Sequence, residues 1–277
     1  MKNSEMNKEL KRNRFKGYFK KIISIIKMPE MGVLPGQLAF YMLLSLVPLI
    51  MLACYFAHLF EFDYTKIINI IDQFVPGGIN YIVPTFSELE FTIPMLILYV
   101  WMLYIASNGC NTIILISNEI YGIRQPSWIR RRIKALFMTF LIVIFVIGLL
   151  LFNVYVGKLE TWVNTLANGD LIWSYLKWLE YPLMLLFLAI FVKGFYNFAP
   201  DRVRHQANIN VGTVFTSASW ILITYVYKVL AEHMASYEMI YGGLANVALL
   251  MIWLYFISFS FVIGLALNYG DEIEGNN

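Results

Sequence analysis

The chain has 277 residues, of which 59% are hydrophobic and 14% charged, with a formal net charge of +3. A soluble domain carries roughly 45–50% apolar and about 25% charged residues. This composition is too apolar for a disordered chain and too poor in charge for a water-bathed surface. A bilayer protein remains, and the small net charge shows no nucleic-acid footprint.

Residues 1–35 read as a cytoplasmic basic tail that charges interrupt every few positions, so no cleavable signal is expected. Within it, residues 15–28 interleave Phe15, Tyr18, Phe19, Ile22, Ile23, Ile25 and Ile26 with Lys16, Lys20, Lys21 and Lys27. That pattern suits an amphipathic helix lying on an anionic leaflet. Six apolar runs follow, at about 36–60, 92–117, 134–157, 178–198, 208–231 and 244–269. Each has roughly the length a helix needs to cross hydrocarbon, and none alternates as a barrel strand does. The expected fold is therefore all-α: a polytopic integral membrane protein, six transmembrane helices over 36–270 with amphipathic interfacial helices. A short acidic cytoplasmic tail at 271–277 closes it. Residues 64–75 form a second amphipathic stretch. Residues 159–178 carry Trp162, Trp173, Tyr175 and Trp178, as in an interfacial aromatic belt. Cys54 and Cys110 lie in apolar runs and read as buried free thiols.

Lys and Arg set the orientation. Nine lie in residues 1–35, five in the second connection (Arg124, Arg130, Arg131, Arg132, Lys134) and three in the fourth (Lys193, Arg202, Arg204). Lys66, Lys158, Lys177 and Lys228 fall on the other side. Both termini are expected in the cytoplasm.

Polar residues inside the spans fall in stripes. Gln37, Tyr41 and Ser45 share one face of the first span, followed by Pro48, which invites a kink. Tyr104, Asn108, Asn111 and Asn118 line one face of the second, with Glu119 at its mouth. Lys193 and Asn197 close the fourth. Thr213, Ser217, Trp220 and Thr224 are in register on the fifth. The sixth carries Asn246, Trp253, Ser260, Gly264 and Asn268, with Ser260 and Gly264 spaced for close helix contact. Polar groups in hydrocarbon face a partner helix or a cavity. The stripes thus read either as packing contacts or as the lining of one polar cavity. Arg124, Arg130, Arg131 and Arg204 are candidates to hold an anionic headgroup at the inner rim. His58, His205 and His233 are scattered, and no HExxH, P-loop, GxSxG or GxGxxG occurs. No catalytic constellation, metal or cofactor is expected.

Several stretches together resemble the YihY/BrkB family of bacterial inner-membrane proteins, historically labelled ribonuclease BN-like. They are residues 37–49 with Ser45 and Pro48, residues 107–125 with Asn108, Glu119, Tyr121, Gly122 and Arg124, and Phe198-Ala199-Pro200-Asp201. The closing segment 237–270, with Tyr241-Gly242, Trp253-Leu254-Tyr255, Gly264 and Asn268, completes the likeness. Members often show Ala-Glu-Leu-Asn where this chain has Leu265-Ala266-Leu267-Asn268, so no carboxylate role carries over to the sixth span. The resemblance implies a six-helix domain in the bacterial cytoplasmic membrane, with membrane lipids as partners and a role in envelope integrity or transport. The expected function is transporter- or channel-like handling of a lipid or other amphiphile. The alternative is a membrane scaffold or assembly factor.

Overall fold

A computed structural model describes residues 22–59, 93–165, 169–201, 209–241 and 243–275. Among the described residues the long helices are α1 (Leu34–Leu59), α2 (Ile93–Ile120), α3 (Trp128–Asn164), α4 (Gly169–Phe198), α5 (Asn210–Tyr241) and α6 (Gly243–Gly275). No strand occurs among these residues. Four stretches among the described residues are long and apolar enough to cross a membrane: Pro29–Leu52, Ile97–Ile120, Asn210–Ala231 and Ala245–Asn268. Leu185–Phe198 is a shorter apolar helix. Backbone groups in hydrocarbon need partners within their own segment, which is why these stretches are helical throughout, apart from a turn at Val33.

Each helix packs on its neighbours in chain order, and α6 returns to α1, so the bundle closes as a ring. The main core lies at one end. It joins Leu38 of α1, Ile114 of α2, Ala135 of α3, Tyr196 of α4 and Leu265 of α6 with Ile25 and Met31 ahead of α1. From Phe261 to Asn268, α6 is buried on all sides. The outward faces are apolar, as on Ile133, Phe137, Phe140 and Ile144 of α3 and Val214 and Leu222 of α5. Apolar surface this extensive is stable against acyl chains and not against water.

Local chemistry sets the helix ends. Gly122 has φ 60°, and its N–H bonds Glu119 O at 3.1 Å while Ile123 N–H bonds Asn118 O at 2.8 Å. This is a Schellman stop, which needs a residue tolerant of the left-handed region. The chain then turns back, and Gln125 Nε2 donates to Leu115 O at 3.0 Å.

One expectation changes. The third helix starts at Trp128, so Arg130, Arg131, Arg132 and Lys134 stand on its first turns and not in a connection. Their long side chains let a charged turn remain helical while the heads seek polar partners. Residues 159–178 cover the end of one helix and the start of the next. α3 runs to Asn164 and α4 begins at Gly169, with Thr165 Oγ1 bonding Trp162 O at 2.6 Å where α3 ends. Trp162 is exposed, as a belt residue would be, while the side chains of Trp173, Tyr175 and Trp178 lie outside the described residues. Residues 22–26 are helical, but 15–21 and 64–75 lie outside the described residues. Cys110 is free and buried, and the Cys54 side chain is not among those described.

Candidate functional site: a cationic cluster held by the amides of α2

The stripe on α2 divides into two groups. Tyr104, Asn108 and Asn111 gather arginines from α3. Asn108 Oδ1 accepts from both Nη1 and Nη2 of Arg132, each at 3.0 Å. Asn111 Oδ1 accepts from Arg131 Nε at 3.0 Å. The Tyr104 ring lies over the Arg132 guanidinium, its centroid 3.6 Å from Cζ, close enough for a cation–π contact. Asn108 lies about 18 Å along the α2 axis from the Ile120 end, at ~1.5 Å per residue. The guanidinium therefore meets partners well inside the span Ile97–Ile120.

Arg132 is 7% exposed, and its Nε–H has no partner among the described residues. Among the described residues no carboxylate pairs with it. The ion pair they contain is Lys134 Nζ with Asp201 Oδ1, at 2.9 Å. A buried cation without an anion carries a large desolvation cost, which neutral partners offset only in part. Such charges inside a span mark functional places more often than packing ones.

Asn118 belongs to the second group. Its Nδ2 donates to Asp201 Oδ2 and to Gln125 Oε1, and its Oδ1 accepts from Asp201 N–H at 3.0 Å. Lys134 Nζ also donates to Ala199 O and Pro200 O at 2.9 and 3.0 Å. Together these bonds tie the end of α2, the start of α3 and the end of α4.

The remaining sequence candidates are dispersed. Ser45 Oγ sits between Gly109 N–H, 2.9 Å away, and Ile105 O, while donating to Tyr41 O at 2.6 Å. It wedges α1 against the α2 backbone, three residues before Pro48. Asn268 Oδ1 accepts from Gly212 N–H at 2.8 Å, satisfying one of the open donors at the start of α5. Trp253 Nε1 donates to Thr224 Oγ1 at 3.3 Å. Gln37, Glu119, Lys193, Asn197, Arg124 and Arg130 are exposed, and Arg204 lies outside the described residues. A groove of about 160 Å³ between α3 and α4 is apolar, lined by residues including Met138, Phe145, Ile190, Phe191 and Phe198.

Sequence reasoning missed Arg132, and a signal for it existed. Arg132 shares a helical face with Ala135, Thr139 and Val143, all buried, while Ile133, Phe137, Phe140 and Ile144 face outward. An arginine in the register of the core stripe is the anomaly to look for. Asp201 and Lys134 were likewise hidden, because their contacts join helices distant in sequence.

Comparison with known proteins places the chain in context. The family model described as Virulence factor BrkB matches residues 25–275. YfkH of Bacillus subtilis strain 168, which carries a ribonuclease-like name, is 24% identical over 91% of this chain and 94% of its own length. The UPF0761 membrane protein VP0125 of Vibrio parahaemolyticus is 26% identical, covering 86% of this chain and 76% of its own. A UPF0761 membrane protein of Vibrio campbellii is 25% identical over 89% of this chain and 79% of its own. No solved structure matches.

Proposed function

For a chain that belongs to the Virulence factor BrkB family of membrane proteins, we propose a transporter-like role, handling a lipid or another amphiphile in maintenance of the bacterial envelope. The observation that carries this reading is the pair of arginines held by Asn108 and Asn111 within a span. A protein that only had to sit in the bilayer would be more stable with apolar residues there. The basic end of the bundle is taken as the cytoplasmic end, in line with the distribution of Lys and Arg, so both tails lie in the cytoplasm of the cell. The role is non-enzymatic, since no acid–base pair or nucleophile motif is written in the sequence. The ribonuclease-like name stays with YfkH.

The test is reconstitution into liposomes containing a fluorescent phospholipid, followed by measurement of its movement between leaflets. The wild type accelerates this movement. Asn111→Leu frees Arg131 from its acceptor, and is expected to insert normally but slow the movement. No acceleration by the wild type would favour the second reading, a scaffold. That reading draws on the α4–α5–α6 contact, where polar groups serve packing. Tyr196 Oη bonds Thr216 Oγ1 at 2.6 Å and Phe261 O at 3.0 Å.

A further inference from the structure

We propose that Arg132 is an oxyanion socket that takes the phosphate of a lipid headgroup. The inference rests on the amphiphile reading above and narrows it to an anionic class. A guanidinium offers two forked edges. The end-on fork, Nη1 and Nη2, is spent on the single Oδ1 of Asn108. The side-on fork consists of Nε–H and the adjacent Nη2 N–H. Its Nε–H has no partner among the described residues, in a side chain more than nine-tenths buried. Two parallel N–H donors on one edge match two oxygens of a phosphate, the geometry in which arginine binds oxyanions most strongly.

Access is set by Tyr104. Its ring covers one face of the guanidinium and is itself 37% exposed, on the outward stripe of α2 with Trp101 and Val100. Its displacement opens a path from the lipid side. The same ring contact stabilises the guanidinium, so the charge is never left bare. Arg131, fixed on Asn111, adds positive potential nearby. The first turn of α3 adds more, because its N-terminal N–H groups favour anions. The depth of Asn108 in its span selects a ligand that arrives within the membrane over a free ion from water.

Wild type, Arg132→Gln and Arg132→Lys, purified in mild detergent, are titrated with dioctanoyl phosphatidic acid, dioctanoylglycerol or inorganic phosphate, with the thermal midpoint followed. Phosphatidic acid is expected to raise the wild-type midpoint, and both variants to bind it about tenfold more weakly or worse. Arg132→Lys keeps the charge but loses the fork. Dioctanoylglycerol and inorganic phosphate are expected to do nothing at the same concentrations. Equal binding by the variants overturns the socket, and so does a diacylglycerol effect matching that of phosphatidic acid. An equal effect of inorganic phosphate overturns the lipid assignment. If neither arginine variant folds, Tyr104→Leu decides. It uncovers the guanidinium and is expected to bind phosphatidic acid more tightly, and unchanged affinity overturns the proposal. Binding without leaflet movement leaves the socket standing and removes transport. Movement of an uncharged amphiphile without phosphate binding does the reverse.

Discussion

The contact of α5 with α6 and the contact of α2 with α3 use similar polar residues to opposite ends. Between α5 and α6 the backbones approach until no side chain fits. A Cβ on Gly212 would collide with Gly264 O and Asn268, and a Cβ on Gly264 would collide with Tyr196 Oη and Thr216 Oγ1. Hydrogen bonds close this contact: Gly212 to Asn268, Tyr196 to Thr216 and Phe261, and Trp220 Nε1 to Ile257 O at 3.1 Å. Between α2 and α3 the amides hold cations instead, and one charged donor has no partner among the described residues. Polarity within a span is thus not one signal. Neutral polar groups build a joint even where Ser217 Oγ and Asn268 Nδ2 have no partner among the described residues, and a buried charge with a surplus donor, costlier to bury, marks a place kept for something else.

The difference is sharpest under substitution. Gly212→Ala drives a methyl into the backbone carbonyl of Gly264, so α5 and α6 must separate. A loss of about 3 kcal/mol or more is expected, seen as a collapse in the yield of monodisperse protein and in its thermal midpoint. Tyr196→Phe leaves the cavity filled but deprives Thr216 and Phe261 of a partner. A loss of about 1–3 kcal/mol is expected in thermal unfolding. Asp201→Leu strips Lys134 and Asn118 of their shared carboxylate. It should cost about 1–3 kcal/mol, read from denaturation in detergent. Asn111→Leu is expected to be the mildest for stability, within about 1 kcal/mol, because Arg131 is only partly buried and its long side chain reaches toward the headgroups. If Asn111→Leu instead destabilised the protein as much as Gly212→Ala, the two contacts would be alike and the distinction would fall.

The helices were legible because hydrocarbon permits little else. Apolar runs of span length predict α1 through α6 within three residues at seven of the twelve ends, and at the other five the helices run six to ten residues further. The exceptions are instructive. α3 begins six residues before the expected boundary because arginine and lysine side chains reach away from a helical backbone, so charge does not end the helix. Ser260 and Gly264 were read as a close-packing pair, and Gly264 meets α4 and α5 without room for a Cβ. The polar stripes were visible, but their partners were not. Whether Asn108 faces water, a carbonyl or an arginine depends on how α3 rotates against α2, and a pattern within one helix does not carry that rotation. The same limit hid the joining of Asn118 with Asp201, 83 residues apart.

The most direct test of the central claim watches the unpaired donor itself. With arginine labelled by ¹⁵N and the Arg132 Nε–H resonance identified by its loss in Arg132→Lys, dioctanoyl phosphatidic acid is added to the folded protein. A downfield movement of that one resonance, with Arg131 little changed, is the predicted result. A resonance that stays in place while the ligand binds elsewhere, or that already shows a strong hydrogen bond to a protein group, would contradict it.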